Sequence, residues 1–122
     1  MAEAVTWMGL AGYGWLLVFQ ILLACGAPLG ALAWGGAQRV LSPSRRWASL
    51  AATLPPLLGL WAMARALGVL PGPEPAVLLW VLCILFAGSA VLNALSSSAV
   101  ERAHGVPLTL LLSISSGLTA AT

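Results

Sequence analysis

Charged residues are so sparse in this chain that they act as punctuation. They leave four long uncharged stretches: 4–38, 47–64, 75–100 and, after His104, 105–122. A membrane-spanning helix needs roughly 20 mostly apolar residues, with a range of about 17–25, and each stretch can supply one. The first is too long for one straight helix and too short for two helices and a turn. It predicts a helix over about 5–33, ending through Gly26, Pro28 and Gly30, then an interfacial segment from Trp34 to Val40. Further helices are predicted at about 46–69, 75–97 and 105–121, the last of them short for a span. The pattern predicts an all-α protein: a single transmembrane domain over 1–122 in which four helices form an up-down bundle.

Loop charges orient that bundle. Arg39, Arg45 and Arg46 fall in the first predicted loop, and Arg102 with His104 in the third. The second loop holds only Glu74, and the N-terminus only Glu3. Arginine-bearing loops stay in the cytoplasm, so both termini are predicted to face outward. The outer turn Pro71-Gly72-Pro73-Glu74-Pro75 is stiff, because each proline fixes φ. It predicts that the second and third helices form a tight antiparallel hairpin. No basic residue precedes the first apolar run, so that run reads as a retained helix rather than a cleaved signal.

Polar residues inside the predicted spans are the candidate working parts. Arg65 is the one charge well inside a helical run, which makes it a functional candidate by default. It also lies six residues before Pro71, within snorkelling reach of the outer headgroups, where Glu74 or Glu3 is available to pair with it. Pro55-Pro56 removes the i+4 donors of Ala51 and Ala52, which predicts either a packing kink or carbonyls exposed to an ion at midplane. Gly26-x-x-x-Gly30 matches a motif for close helix packing. Gln20 should face a partner rather than lipid. Ser89, Asn93, Ser96 and Ser97 recur at helical spacing, as do Thr109, Ser113 and Ser116, with Ser115 and Thr119 beside them. Such stripes either bond neighbouring helices or line a polar path. Glu101-Arg102-Ala103-His104 reads as a solvated loop at the inner interface, with a partner-docking or lipid-headgroup patch as the alternative.

Composition narrows the functions further. The chain is 61% hydrophobic and 7% charged, with a mean hydropathy of +1.01, against roughly 25% charged in a soluble domain. With no lysine, a retinal or pyridoxal Schiff base is excluded. The small multidrug transporters match in size but depend on a glutamate in their first helix, and none stands there. A net charge of +2 is too small for a nucleic-acid footprint. Cys25 and Cys83 sit in apolar runs at different predicted depths, which disfavours a disulfide. One histidine with two such cysteines makes no metal site, and nothing calls for another cofactor.

Two regions carry a resemblance. GAPLGALAWGG at 26–36 with VLSPSRRWAS at 40–49, and LNALSSSAVERAHGVPLTLLL at 92–112, are similar to a group of uncharacterised small bacterial four-helix membrane proteins. The resemblance implies the bacterial inner (cytoplasmic) membrane and supplies no activity. With no acid–base pair in view, the expected function is that of a non-enzymatic accessory or scaffold protein. Surrounded by membrane lipids, it would pack through Gly26 and Gly30 against a second copy or another membrane protein. The alternative is a homo-oligomeric channel or transporter for a small solute, built on Arg65, Pro55, Pro56, Gln20, Asn93, Ser113 and Ser116.

Overall fold

The computed structural model describes residues 2–122, and every regular element among them is helical. The α-helices are α1 (Ala2–Ala24), α2 (Pro43–Ala51), α3 (Leu54–Ala66), α4 (Ala76–Ala94) and α5 (Ala99–Ala121). Two single 3-10 turns, Gly30–Leu32 and Trp34–Gly36, lie between α1 and α2. Taken together, α2 and α3 form one interrupted span, so four helices are long and apolar enough to cross a membrane. At 1.5 Å per residue, the 23 residues of α1 and of α5 reach about 34 Å, enough for a hydrocarbon core of about 30 Å.

Helix ends differ from the hydropathy reading because local capping decides them. The first helix stops at Ala24, not near residue 33. Gly26, with φ +88°, takes the left-handed position that glycine supplies at a helix C-terminus. Gly26 N–H then bonds Leu23 O at 3.0 Å, and Ala27 N–H bonds Leu22 O at 2.9 Å. Arg46 Nε donates to Ala24 O at 3.0 Å, satisfying a further terminal carbonyl. Gly26 and Gly30 therefore lie beyond the helix and form no helix-packing face. Gly30 instead donates its N–H to Arg39 O at 2.8 Å, and a Cβ there would collide with the Gln38 carbonyl oxygen.

The proline pair breaks the second span just ahead of itself, at Ala52–Thr53. Pro55 then sits in the first turn of α3, where N–H groups have no intrahelical partner and proline is tolerated. α4 ends at Ala94, so Ser96 and Ser97 belong to the following connection rather than to a helical stripe. α5 begins at Ala99, about six residues earlier than hydropathy implies, because Ser98 Oγ accepts the Glu101 N–H at 3.1 Å as an N-cap. Glu101 to His104 are thus helical and not a solvated loop. Pro107 lies inside α5, at the cost of one backbone hydrogen bond.

α5 is the central helix and runs antiparallel to both neighbours. Along α1, Thr119 Oγ1 meets Thr6 Oγ1 at 2.9 Å, and Ser116 Oγ meets Tyr13 Oη at 2.6 Å. Along α4, Ser113 Oγ donates to Cys83 O at 2.7 Å. Small residues let the helices approach: a Cβ on Gly59 would stand 2.5 Å from the Tyr13 ring, and one on Gly9 would stand 2.7 Å from Ser115 Oγ. The apolar core gathers Tyr13, Ala62, Met63, Leu79, Leu82, Phe86 and Leu112, with Tyr13 edge-on to Phe86 at 5.6 Å between centroids. Despite the stiff turn joining them, α3 and α4 touch each other sparsely and do not form a tight hairpin. Each packs on α1 or α5 instead, which leaves a gap between them.

Candidate functional site

That gap, at one end of the molecule, holds a cavity of about 480 Å3, within the roughly 300–1,000 Å3 typical of small-molecule sites. Its walls come from α1 (Leu16, Phe19, Gln20), the start of α3 (Pro55, Pro56), α4 (Leu85, Phe86, Ser89, Leu92, Asn93) and α5 (Glu101, His104, Gly105, Leu108, Thr109). The turn Trp34–Gly36 closes the end. Leu85 and Leu92 are both wall and outer surface, being 45% and 72% exposed. The mouth therefore opens sideways, between α3 and α4, on the apolar flank of the bundle.

The closing turn is held in an unusual conformation. Trp34 has φ +51°, a region that bulky residues rarely adopt and that costs about 1–3 kcal/mol. Gly35 and Gly36 follow at +83° and +76°. Three contacts hold the strained tryptophan: its Nε1 donates to the buried Ser49 Oγ at 2.9 Å, Arg45 Nη1 donates to its carbonyl at 3.1 Å, and the Arg45 guanidinium lies 5.7 Å from its ring centroid. A bonded tryptophan with a cation over its face is worth anchoring a loop on. The result is that Gly35 N–H points at Glu101 and donates to Oε2 at 3.3 Å. Ser98 Oγ adds a second tie across the same junction by donating to Ala31 O at 2.9 Å.

Glu101 is 7% exposed and sits in the first turn of α5, where the helix dipole favours a carboxylate. His104 is one turn further on, on the same side of the helix. Its Nε2 accepts the Trp15 Nε1 proton at 2.8 Å, and its ring lies against Phe19 with centroids 4.7 Å apart. An accepting nitrogen carries no proton, so the ring proton of this neutral histidine is on Nδ1. Gln20 adds a further polar group to the wall, and its buried Oε1 has no hydrogen-bond partner. Asn93 Nδ2 donates to Ser89 O at 2.9 Å, while its side chain fills the space left by Gly105, where any Cβ would overlap it.

The candidate residues of the sequence therefore divide into two groups. Gln20, Asn93, Pro55 and Pro56 come together around the cavity. Arg65, Ser113, Ser116, Gly26 and Gly30 lie away from it. Arg65 donates Nε to Gly72 O at 2.6 Å, so its nearest partner is a turn carbonyl and not Glu74 or Glu3. Glu3 accepts from Trp7 Nε1 at 3.4 Å. Ser113 and Ser116 are occupied in binding α5 to its neighbours. Reasoning from hydropathy missed Glu101 and His104, although the Ser98-x-x-Glu101 spacing is a helix-start signal and the two residues are three apart.

Among the described residues, no three His, Cys, Asp or Glu side chains are close enough to hold a metal ion. Comparison with protein families, with curated proteins and with solved structures finds no match to this chain.

Proposed function

We propose that this chain is a four-span protein of the bacterial inner membrane, up-down in topology with both termini outside, and that it acts by binding rather than by catalysis. In this reading it is a non-enzymatic accessory protein whose working part is the lateral cavity. The four apolar helices support the membrane setting, and the arginine distribution supports the orientation. The bacterial setting rests on the resemblance of residues 26–36, 40–49 and 92–112 alone.

One observation carries the binding reading: the cavity keeps a buried carboxylate and an unpartnered amide oxygen among largely apolar walls. Buried polar atoms normally find partners, so this arrangement has capacity for something that donates. A scaffold packing through Gly26 and Gly30 has lost its motif, since those glycines shape turns. Lipid remains the expected environment, and a second copy or another membrane protein the expected neighbour on the exposed apolar faces. The experiment is to fill the cavity. Leu85→Trp should abolish retention of whatever small molecule accompanies the protein from its membrane, with the helical content unchanged. Retention equal to that of the wild type refutes the binding role.

A transporter is the second reading, favoured by the broken span at Pro55-Pro56 forming one wall of the cavity. It predicts solute flux in liposomes that Leu85→Trp blocks. Absence of flux under every gradient tested leaves the binding reading alone.

A further inference from the structure

Two acceptors at the polar end of the cavity have spare capacity, and one of them is a carboxylate. Gln20 Oε1 is buried without a partner. Glu101 Oε2 receives one hydrogen bond, a long one at 3.3 Å from Gly35 N–H, whereas a carboxylate has about four acceptor sites. Three of the neighbouring donors are committed elsewhere, while His104 Nδ1–H and the Gln20 amide N–H carry no hydrogen bond within the chain. Asn93 Nδ2 donates to Ser89 O, Thr109 Oγ1 to Gly105 O and Trp15 Nε1 to His104. The two arginines beside the cavity's polar end are also engaged, Arg45 with Trp34 O and Arg102 with Ser96 O, and both are exposed. A ligand that brings N–H donors and a positive charge matches the free capacity of Glu101 and Gln20.

Polarity also changes along the cavity. Glu101 and the Gly35 N–H mark one end, Gln20 and His104 come next, and Leu16, Leu85 and Leu108 mark the other. From Glu101 to Leu108 is seven residues of α5, about 10 Å along its axis. Phe19, Phe86 and Trp34 add aromatic surface, on which a cation is held favourably. The side mouth at Leu85 and Leu92 opens on the surface that hydrocarbon would cover.

We infer that the cavity binds an amphiphile with a primary ammonium head, the head bonded to Glu101 and Gln20 and the apolar body directed toward Leu85 and Leu108. The inference rests on the proposed role of the cavity and adds the ligand's chemistry. The same chemistry has two sources: a membrane lipid with an ethanolamine headgroup, or a free long-chain amine.

The test uses the full chain in bilayers, read by mass spectrometry of the intact complex. One arm offers phosphatidylethanolamine, phosphatidylcholine and phosphatidylglycerol in equal parts. The other offers dodecylamine against dodecanol in phosphatidylcholine. The primary amine should be retained over its matched partner in at least one arm, and the arm in which this occurs identifies the source. Glu101→Gln should weaken that retention about thirtyfold or more, as expected when one partner of a buried charge pair is removed. Glu74→Gln, in the exposed turn, should leave it unchanged. The wild-type comparison stands whether or not the Glu101 variant folds. Preference for the matched partner in both arms, dodecanol in one and phosphatidylcholine or phosphatidylglycerol in the other, overturns the ammonium assignment and leaves the cavity's binding role intact. Retention of no amphiphile overturns both, and a folded Glu101→Gln protein that binds as the wild type does overturns the role of the carboxylate.

Discussion

Single residues in this protein are governed by closeness more than by charge. Tyr13 is fully buried, bonded through its hydroxyl to Ser116 and laid flat on the bare backbone of Gly59. A methyl at Gly59 must displace that ring, so Gly59→Ala should destabilise the fold by about 1–3 kcal/mol, the usual range for overpacking. Ser116→Ala removes a single interhelical hydrogen bond and should cost less, about 0.6 kcal/mol on average and at most about 1.7. Reversible unfolding in mixed detergent–lipid micelles reads both, and the reverse order would contradict the packing account. Gly30 illustrates how a motif misleads. The Gly26-x-x-x-Gly30 spacing is that of a helix-packing face, but α1 has already ended at Ala24. Gly30→Leu should therefore disturb the Gly30–Arg39 turn within each chain, seen as faster amide exchange there, whatever the oligomeric state.

At the scale of elements, the apolar runs were legible because hydropathy is local and averages over many residues. Helix ends were not, because each is decided by one or two capping groups. Ser98 moves the start of α5 back to Ala99 and so brings Glu101 into the helix. It also ties the helix to Ala31. Ser98→Ala should cost about 1–2 kcal/mol, the upper range for an N-cap, and should loosen the Trp34–Gly36 turn as well as the first turn of α5. Hydrogen exchange confined to α5 would show that the cap and the turn are independent. The Pro55-Pro56 break was readable in the sequence, although its consequence was not. The prolines open α3 instead of exposing midspan carbonyls in a continuous helix, and they become one wall of the cavity.

For the molecule as a whole, the cavity was the least legible feature. It needs residues more than 60 positions apart, with Gly35 folded back on Glu101, and no spacing rule predicts that contact. Gln20 and Asn93 stood out as polar residues in apolar runs, yet nothing local separated them from Ser113 and Ser116, which serve only to join helices. The orientation is tested independently. A cysteine at Ser44, beside Arg45 and Arg46, should react with a membrane-impermeant reagent only from the cytoplasmic side, and labelling from outside would invert the topology.

The central claim is that this bundle holds a small molecule in its lateral cavity. The most direct measurement is the native mass of the protein released gently from its own membrane. The account predicts a mass that exceeds the chain, or a whole number of chains, by one small amphiphile per chain, and the loss of that increment in Leu85→Trp. A wild-type mass equal to the bare chains, with nothing bound, would contradict it.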